Sequence, residues 1–127
     1  MSMQQVTIAV VDDDPELREA IRRLLSTQGF HVELFASTAE FMAAAIMREA
    51  ACFIIDVQVD SDSGLELGWQ LCSLGVSTPI IYTSGSVTPA IQRLVQELDH
   101  VAFLRKPLSC CELVEAIQQA ITTDYYH

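Results

Sequence analysis

Basic residues are scarce in this chain of 127 residues: 7 Lys and Arg stand against 17 Asp and Glu, a net charge of -10 at pH 7. A surface of that sign repels phosphate backbones and anionic headgroups, so the chain itself is expected to bind neither nucleic acid nor a membrane. No apolar run reaches the roughly 18 residues that suggest a membrane span. The opening MSMQQ lacks the charged and apolar regions of a signal peptide, and a cytoplasmic location is expected. Cysteines are few. Cys52, Cys72, Cys110 and Cys111 have neither the density nor the spacing of a disulfide framework, and no CxxC pairs with a histidine in a zinc pattern. They read as reduced and mostly buried. Linkers, internal repeats and low-complexity tracts are absent as well. Half of the residues are apolar, enough for one sizeable core, so residues 1–127 read as a single domain with a core over about 6–121.

What is present is a regular alternation. Strand-like apolar runs at 6–11 (VTIAVV), 31–35 (HVELF), 51–55 (ACFII), 79–83 (PIIYT) and 101–104 (VAFL) alternate with helical patterns. Leu17, Ala20, Ile21, Leu24 and Leu25 make one apolar face in the first helix. Ile91, Leu94, Val95 and Leu98 do so in the fourth, and Leu113, Ala116, Ile117, Ala120 and Ile121 in the fifth. Ser37 with Glu40 and Ser109 with Glu112 have capping-box spacing, and Pro89 after Thr88 suits a first helical position.

Alternating strand and helix imply an α/β fold: a doubly wound, five-stranded parallel sheet with right-handed crossovers and helices on both faces. The first, third and fourth strands are almost wholly apolar and read as buried on both sides, whereas HVELF alternates and reads as an edge. The strand order that follows is 2-1-3-4-5. It places the topological switch point between strands one and three, where ligands bind at the carboxyl ends. Strand one ends in Asp12 and Asp13, strand three in Asp56, strand four in Ser84, and strand five leads into Lys106.

Asp14 precedes Pro15 and Glu16, so it reads as the cap of the first helix, not as a ligand. Any one of Asp12, Asp13 and Asp56 taken alone reads as a solvated strand-end acid. Three carboxylates brought within a few ångström would raise one another's pKa unless a cation lies among them. An oxygen-only site without His or Cys points to Mg²⁺, which keeps several waters and often shares its ligand shell with a phosphate. Lys106 and Ser84 have ordinary surface and turn readings; a lysine is also a compact phosphate-binding charge, and a hydroxyl can donate to a phosphoryl oxygen.

In its joint spacing of Asp12, Asp13, Asp56, Ser84 and Lys106-Pro107, the chain resembles the receiver domain of two-component response regulators. The pattern is closest to the nitrogen-fixation and LuxR-type regulators, with their VDDD openings and SGLEL after the third strand. The resemblance implies a CheY-like, flavodoxin-like (βα)5 fold over about Val6 to Ile121. It implies that Asp56 is the phosphoacceptor, that Asp13 binds Mg²⁺ directly with Asp12 acting largely through water, and that Gln58 offers its backbone carbonyl to the metal. Ser84 and Lys106 would bind the phosphoryl oxygens, with a cis bond at Lys106-Pro107. Phe103 stands at the switch aromatic's position, although a core aromatic in VAFL is an equal reading. Gln58 and Ser86 would line the path of the hydrolytic water and set the lifetime of the phosphoryl group. Such a domain is not an enzyme toward other substrates; it catalyses only its own phosphorylation and dephosphorylation.

The implied partner is a sensor histidine kinase, and the implied output is the face of the fourth helix, fifth strand and fifth helix. The family leaves room for a C-terminal DNA-binding output domain outside this chain and for a homodimer through that face. In one stretch the chain departs from the family: DVQVDSDSG places Asp60 where a proline is usual, while Gly64 is kept, so the loop is expected to be less stiff and more acidic. The segment QELDH before the fifth strand also lacks the family's usual Gly-Ala. Two other functions compete. One is a receiver-like interaction module that works without phosphate, against which the complete acidic and basic set argues. The other is a small haloacid-dehalogenase-type phosphatase, suggested by the DxD pair Asp12 and Asp14 but lacking the Thr or Val that family wants at position 16 and its downstream acidic pair.

Overall fold

The computed structural model describes residues 5–44 and 49–125. In chain order its elements are β1 (Thr7–Val11), α1 (Pro15–Thr27), β2 (His31–Phe35), α2 (Thr38–Ala43), β3 (Cys52–Asp56), β4 (Gln58–Val59), β5 (Asp62–Ser63), α3 (Gly64–Ser73), β6 (Ile80–Ser84), α4 (Pro89–Gln96), β7 (Ala102–Arg105) and α5 (Cys110–Tyr125). Five strands form one sheet of order β2-β1-β3-β6-β7, every neighbouring pair parallel. Counted without the short β4-β5 pair, that is the 2-1-3-4-5 order expected from the sequence.

Side chains alternate across the sheet with period two, and each face carries its own core. On one face Ile8, Val10, Ile54 and Ile81 pack with Ile21 and Leu25 of α1 and Leu113, Ile117 and Ala120 of α5. On the other, Ala9, Val11, Phe53, Ile55 and Tyr82 pack with Phe41 of α2, Leu67 and Leu71 of α3 and Val95 of α4. Phe41 stands edge-on between Phe35 and Phe53, with ring centroids 5.4 and 5.1 Å away; such edge-to-face contacts add to the area buried. The middle strands β3 and β6 are buried throughout, while β2 is partly exposed at its edge. No helix among the described residues is long and apolar enough to cross a membrane.

The helix starts follow from capping. Asp14 Oδ1 accepts from the Glu16 and Leu17 amides at 3.0 and 3.3 Å, as its place before Pro15 suggested. Ser37, Thr88 and Ser109 likewise accept from Glu40, Ile91 and Glu112. Ser63 caps α3 by accepting from Glu66 at 3.2 Å, a further Ser-x-x-Glu cap in the chain.

Two expectations need correction. Cys52 is buried, but Cys72, Cys110 and Cys111 are exposed, because the inward stripes of α3 and α5 are taken by Leu71 and Leu113 and their neighbours. The fourth helix closes at Gln96, so Leu98 is buried just beyond the helix end, not on its last turn. The loop after Asp56 carries a short hairpin that the sequence did not suggest: Gln58–Val59 and Asp62–Ser63 pair antiparallel across a two-residue turn. Asp60 takes φ 55 there, a left-handed conformation that Asp tolerates better than most residues.

The start of α3 is pressed against the end of β3. A Cβ on Gly64 would lie 1.7 Å from the Asp56 carbonyl oxygen and 2.9 Å from Ile55 Cγ2, so only glycine permits this approach. Gly64→Ala is expected to cost about 1–3 kcal/mol in urea unfolding. Gly85→Ala, where an added Cβ meets nothing within 4 Å, should be neutral or slightly stabilising.

Candidate functional site

Asp12 follows β1 and extends its ladder, its amide donating to the Phe35 carbonyl at 3.1 Å. That strand continuation points the side chain into the rim, where only 2% of the residue is exposed. Its Oδ1 accepts the Asp14 amide at 2.9 Å, and its carbonyl accepts Arg18 Nη1 at 2.7 Å. Asp56 closes β3 and is also buried; its Oδ1 accepts the Gln58 amide at 3.0 Å. Lys106 is set by β7 and by its amide, which donates to the Ser84 carbonyl at 2.8 Å, and the Lys106-Pro107 bond is cis. Its Nζ lies 2.8 Å from Asp12 Oδ2 and 2.7 Å from Asp56 Oδ2. Asp13 is exposed at the mouth, and its Oδ2 accepts the Asp60 amide at 3.2 Å.

Carboxylate oxygens from Asp12, Asp13 and Asp56 fall within 4.8 Å of one another. Three carboxylates against one ammonium leave a surplus of two negative charges, which a divalent cation would balance, and the donors are all hard oxygens. The residues therefore fit Mg²⁺. Burial pushes the Asp56 carboxyl above the usual range, and the bonds from Lys106 and the Gln58 amide offset only part of that. Burial also pulls on Lys106, but its bonds to Asp12 and Asp56 outweigh this and hold the ammonium pKa above its ordinary value. Hydrogen bonding with Asp13, and the repulsion of that carboxylate, raise the exposed Asp60 carboxyl. The departure from the family thus adds a fourth acid beside the cluster.

The remaining predicted residues are close to this rim but differently engaged. Ser84 is buried at the end of β6. Its hydroxyl donates to the Ser86 carbonyl and accepts from the Ser86 amide at 3.1 Å, closing a local turn; among the described residues the hydroxyl itself bonds neither Asp56 nor Lys106. Ser86 and Gln58 are exposed. The Gln58 side chain donates to the Asp60 carbonyl at 3.5 Å. Phe103 sits on β7 opposite Tyr82, half-buried against the core that also receives Ile91 of α4; both readings of it, switch and core aromatic, agree with that position. Sequence reasoning did not find Arg18, whose place one helical turn after Asp14 gave no signal for its bond to the Asp12 carbonyl.

A sequence model of the response regulator receiver domain matches residues 8–118. The chain belongs to that family. It is similar to the response regulator protein TodT of Pseudomonas putida, 33% identical over 95% of this chain and 53% of that protein. It is similar also to the transcriptional regulatory protein FixJ of Azorhizobium caulinodans, 27% identical over 93% of this chain and 56% of that protein. A solved receiver protein from Pseudoalteromonas atlantica superposes with a TM-score of 0.87 at 29% identity, covering 93% of this chain and 98% of that one. The domain is therefore a CheY-like receiver of a two-component response regulator, and it spans about half the length of the curated relatives it matches.

Two outcomes follow from the geometry. Because the Asp56 carboxyl is raised in the folded state, its contribution to stability is present at low pH and lost as pH rises through the folded pKa. In metal-free protein Asp56→Asn should melt higher than the parent at pH 7, and the gap should close as pH falls toward the ordinary aspartate range; a gap that widened on acidification would contradict the burial effect. At Asp60, a proline would need φ near -65° and would remove the amide bonded to Asp13. Asp60→Pro should lower the melting temperature by several degrees while Asp60→Gly leaves it unchanged or raises it, both read by calorimetry.

Proposed function

We propose that this domain accepts a phosphoryl group on Asp56 from the phosphohistidine of a sensor kinase. The observation that supports this most is the buried Asp56 carboxylate sharing one ammonium with Asp12 beside the exposed acid Asp13. A carboxylate oxygen of Asp56 forms the new O–P bond as the N–P bond breaks, and the departing imidazole takes a proton from solvent. Asp12, Asp13, Asp56 and the Gln58 carbonyl would hold Mg²⁺, which supplies neutralising charge on the transferring oxygens. Lys106, already 2.7 Å from Asp56 Oδ2, is positioned to bond a phosphoryl oxygen once Asp56 is modified. Ser84 can donate to a second oxygen after leaving the Ser86 carbonyl.

That exchange links the new dianion to the β6–α4 loop, and through it to the face of α4, β7 and α5 that carries Phe103. The output is a changed surface for a partner: a C-terminal DNA-binding domain, a second receiver or another protein. The first is favoured by relatives about twice this length, one of them named as a transcriptional regulator. A cytoplasmic location agrees with a kinase partner. Gln58 and Ser86, both exposed at the mouth, tune hydrolysis of the acyl phosphate.

Incubation with acetyl phosphate, read by intact mass, should give a single Mg²⁺-dependent adduct. Asp56→Asn should abolish it, Asp13→Asn should reduce it strongly, and Lys106→Met should slow it on the order of 100-fold. Changes at Gln58 or Ser86 should alter the decay of the adduct more than its formation. Undiminished labelling of Asp56→Asn would overturn the assignment, and no labelling of the parent would favour an interaction module that works without phosphate.

A further inference from the structure

The hairpin after Asp56 bonds two of the three clustered acids with its backbone. At its start the Gln58 amide donates to Asp56 Oδ1 at 3.0 Å. At its tip the Asp60 amide donates to Asp13 Oδ2 at 3.2 Å, from a residue whose φ of 55 turns the chain sharply there. A donor on one oxygen fixes the rotation of the Asp13 carboxylate and leaves its remaining lone pairs for a cation. The far arm is held as well. Asp62 Oδ2 accepts from Thr38 Oγ1 of α2 at 3.1 Å, and the Gly64 amide donates to the Val57 carbonyl at 2.9 Å. The tip that carries Asp60 is thus braced from both sides.

Asp60 also brings a charge. Its carboxyl lies against that of Asp13, whose hydrogen bonding and repulsion raise it above the usual range. Yet Asp60 is outside the set of carboxylates, Asp12, Asp13 and Asp56, whose oxygens come within 4.8 Å of one another among the described residues. An acid beside the ligands but not among them reaches the ion through its water shell, and Mg²⁺ is the divalent ion that keeps several waters. Groups that bond a ligand or a bound water ordinarily change metal affinity by about tenfold to hundredfold. Asp62, the other acid of the hairpin, is exposed too. Its carboxylate is engaged by Thr38 and has no bond to Asp13 among the described residues.

We propose that Asp60 is a positioning residue of the cation site: its amide fixes the Asp13 carboxylate, and its own carboxylate accepts from water bound to Mg²⁺ and so tightens the site for that ion. The inference rests on the Mg²⁺-dependent reading of the site given above. A proline at this position would supply neither the amide nor the charge.

Asp60→Asn separates the two contributions, because asparagine keeps the amide, the shape and the tolerance of a left-handed backbone while losing the charge. Titration calorimetry with Mg²⁺ should give a Kd about threefold to thirtyfold weaker than the parent's, below the usual range because the position is exposed, and the difference should shrink in high salt. Asp60→Gly should weaken binding at least as much. Asp62→Asn, which removes the same net charge two residues away, should stay within about twofold of the parent. In metal-free protein at pH 8 Asp60→Asn should melt no lower than the parent, since it removes a repulsion. The rise in melting temperature produced by Mg²⁺ should be smaller in the variant. Equal Mg²⁺ affinity in Asp60→Asn and a parent that binds the ion would overturn this assignment alone, and equal weakening by Asp62→Asn would do the same by showing an effect of net charge. A lower metal-free melting temperature in Asp60→Asn would also overturn it. A parent that binds no Mg²⁺ would overturn both the assignment and the reading on which it rests.

Discussion

The structure at the rim depends on one ammonium. Lys106 Nζ is bonded to both Asp12 and Asp56, carboxylates that are almost fully buried. Two acids so close in a low-dielectric pocket would not both remain ionised without a counter-charge. The same lysine ties β7 to the ends of β1 and β3 through its side chain and to β6 through its amide. Four strand ends, far apart in sequence, are thereby brought to a common point, and Asp13 adds its charge from the exposed side. Removing Lys106 would leave two buried charges unpaired, a larger loss than any surface ion pair represents. The remaining surplus of negative charge is what fits the cluster to a cation, beyond a buried ion pair.

Much of this was legible in the sequence, for definite reasons. Period-two and period-3.6 patterns separate strands from helices, and a run of βα units admits few topologies, so the order of the sheet and its switch point followed from apolar spacing alone. Once the order is known, the residues at strand ends are neighbours by necessity, which is why Asp12, Asp13, Asp56, Ser84 and Lys106 could be grouped. Asp14 as a cap followed from local chemistry in the same way.

What escaped notice depended on contacts that patterns do not encode. The β4-β5 hairpin has no glycine in its turn; it depends on Asp60 accepting φ 55 and on the Asp60 amide finding Asp13 across the site. The exposed cysteines were misjudged because cysteine was treated as a small apolar residue, although Cys110 and Cys111 precede the inward stripe that begins at Leu113. Gly68 gave no warning either. A glycine inside a helix is ordinarily a weakness, and its purpose is visible only when the Tyr82 hydroxyl is seen lying where its Cβ would be.

Strand β6 joins these observations. Tyr82 and Ser84, two residues apart, share one face of the strand, and Phe103 is the cross-strand neighbour of Tyr82. Ser84 has a single hydroxyl hydrogen, which it donates to the Ser86 carbonyl; that hydrogen cannot serve a phosphoryl oxygen at the same time. Under the proposed reaction, modification of Asp56 therefore competes with the turn that ties Ser84 to Ser86, just before α4. The competition is discrete, since one hydrogen has one principal acceptor. A local exchange of that kind can bias two arrangements of the adjoining helix without any displacement of the sheet, whose central strands are buried on both faces and paired along their length.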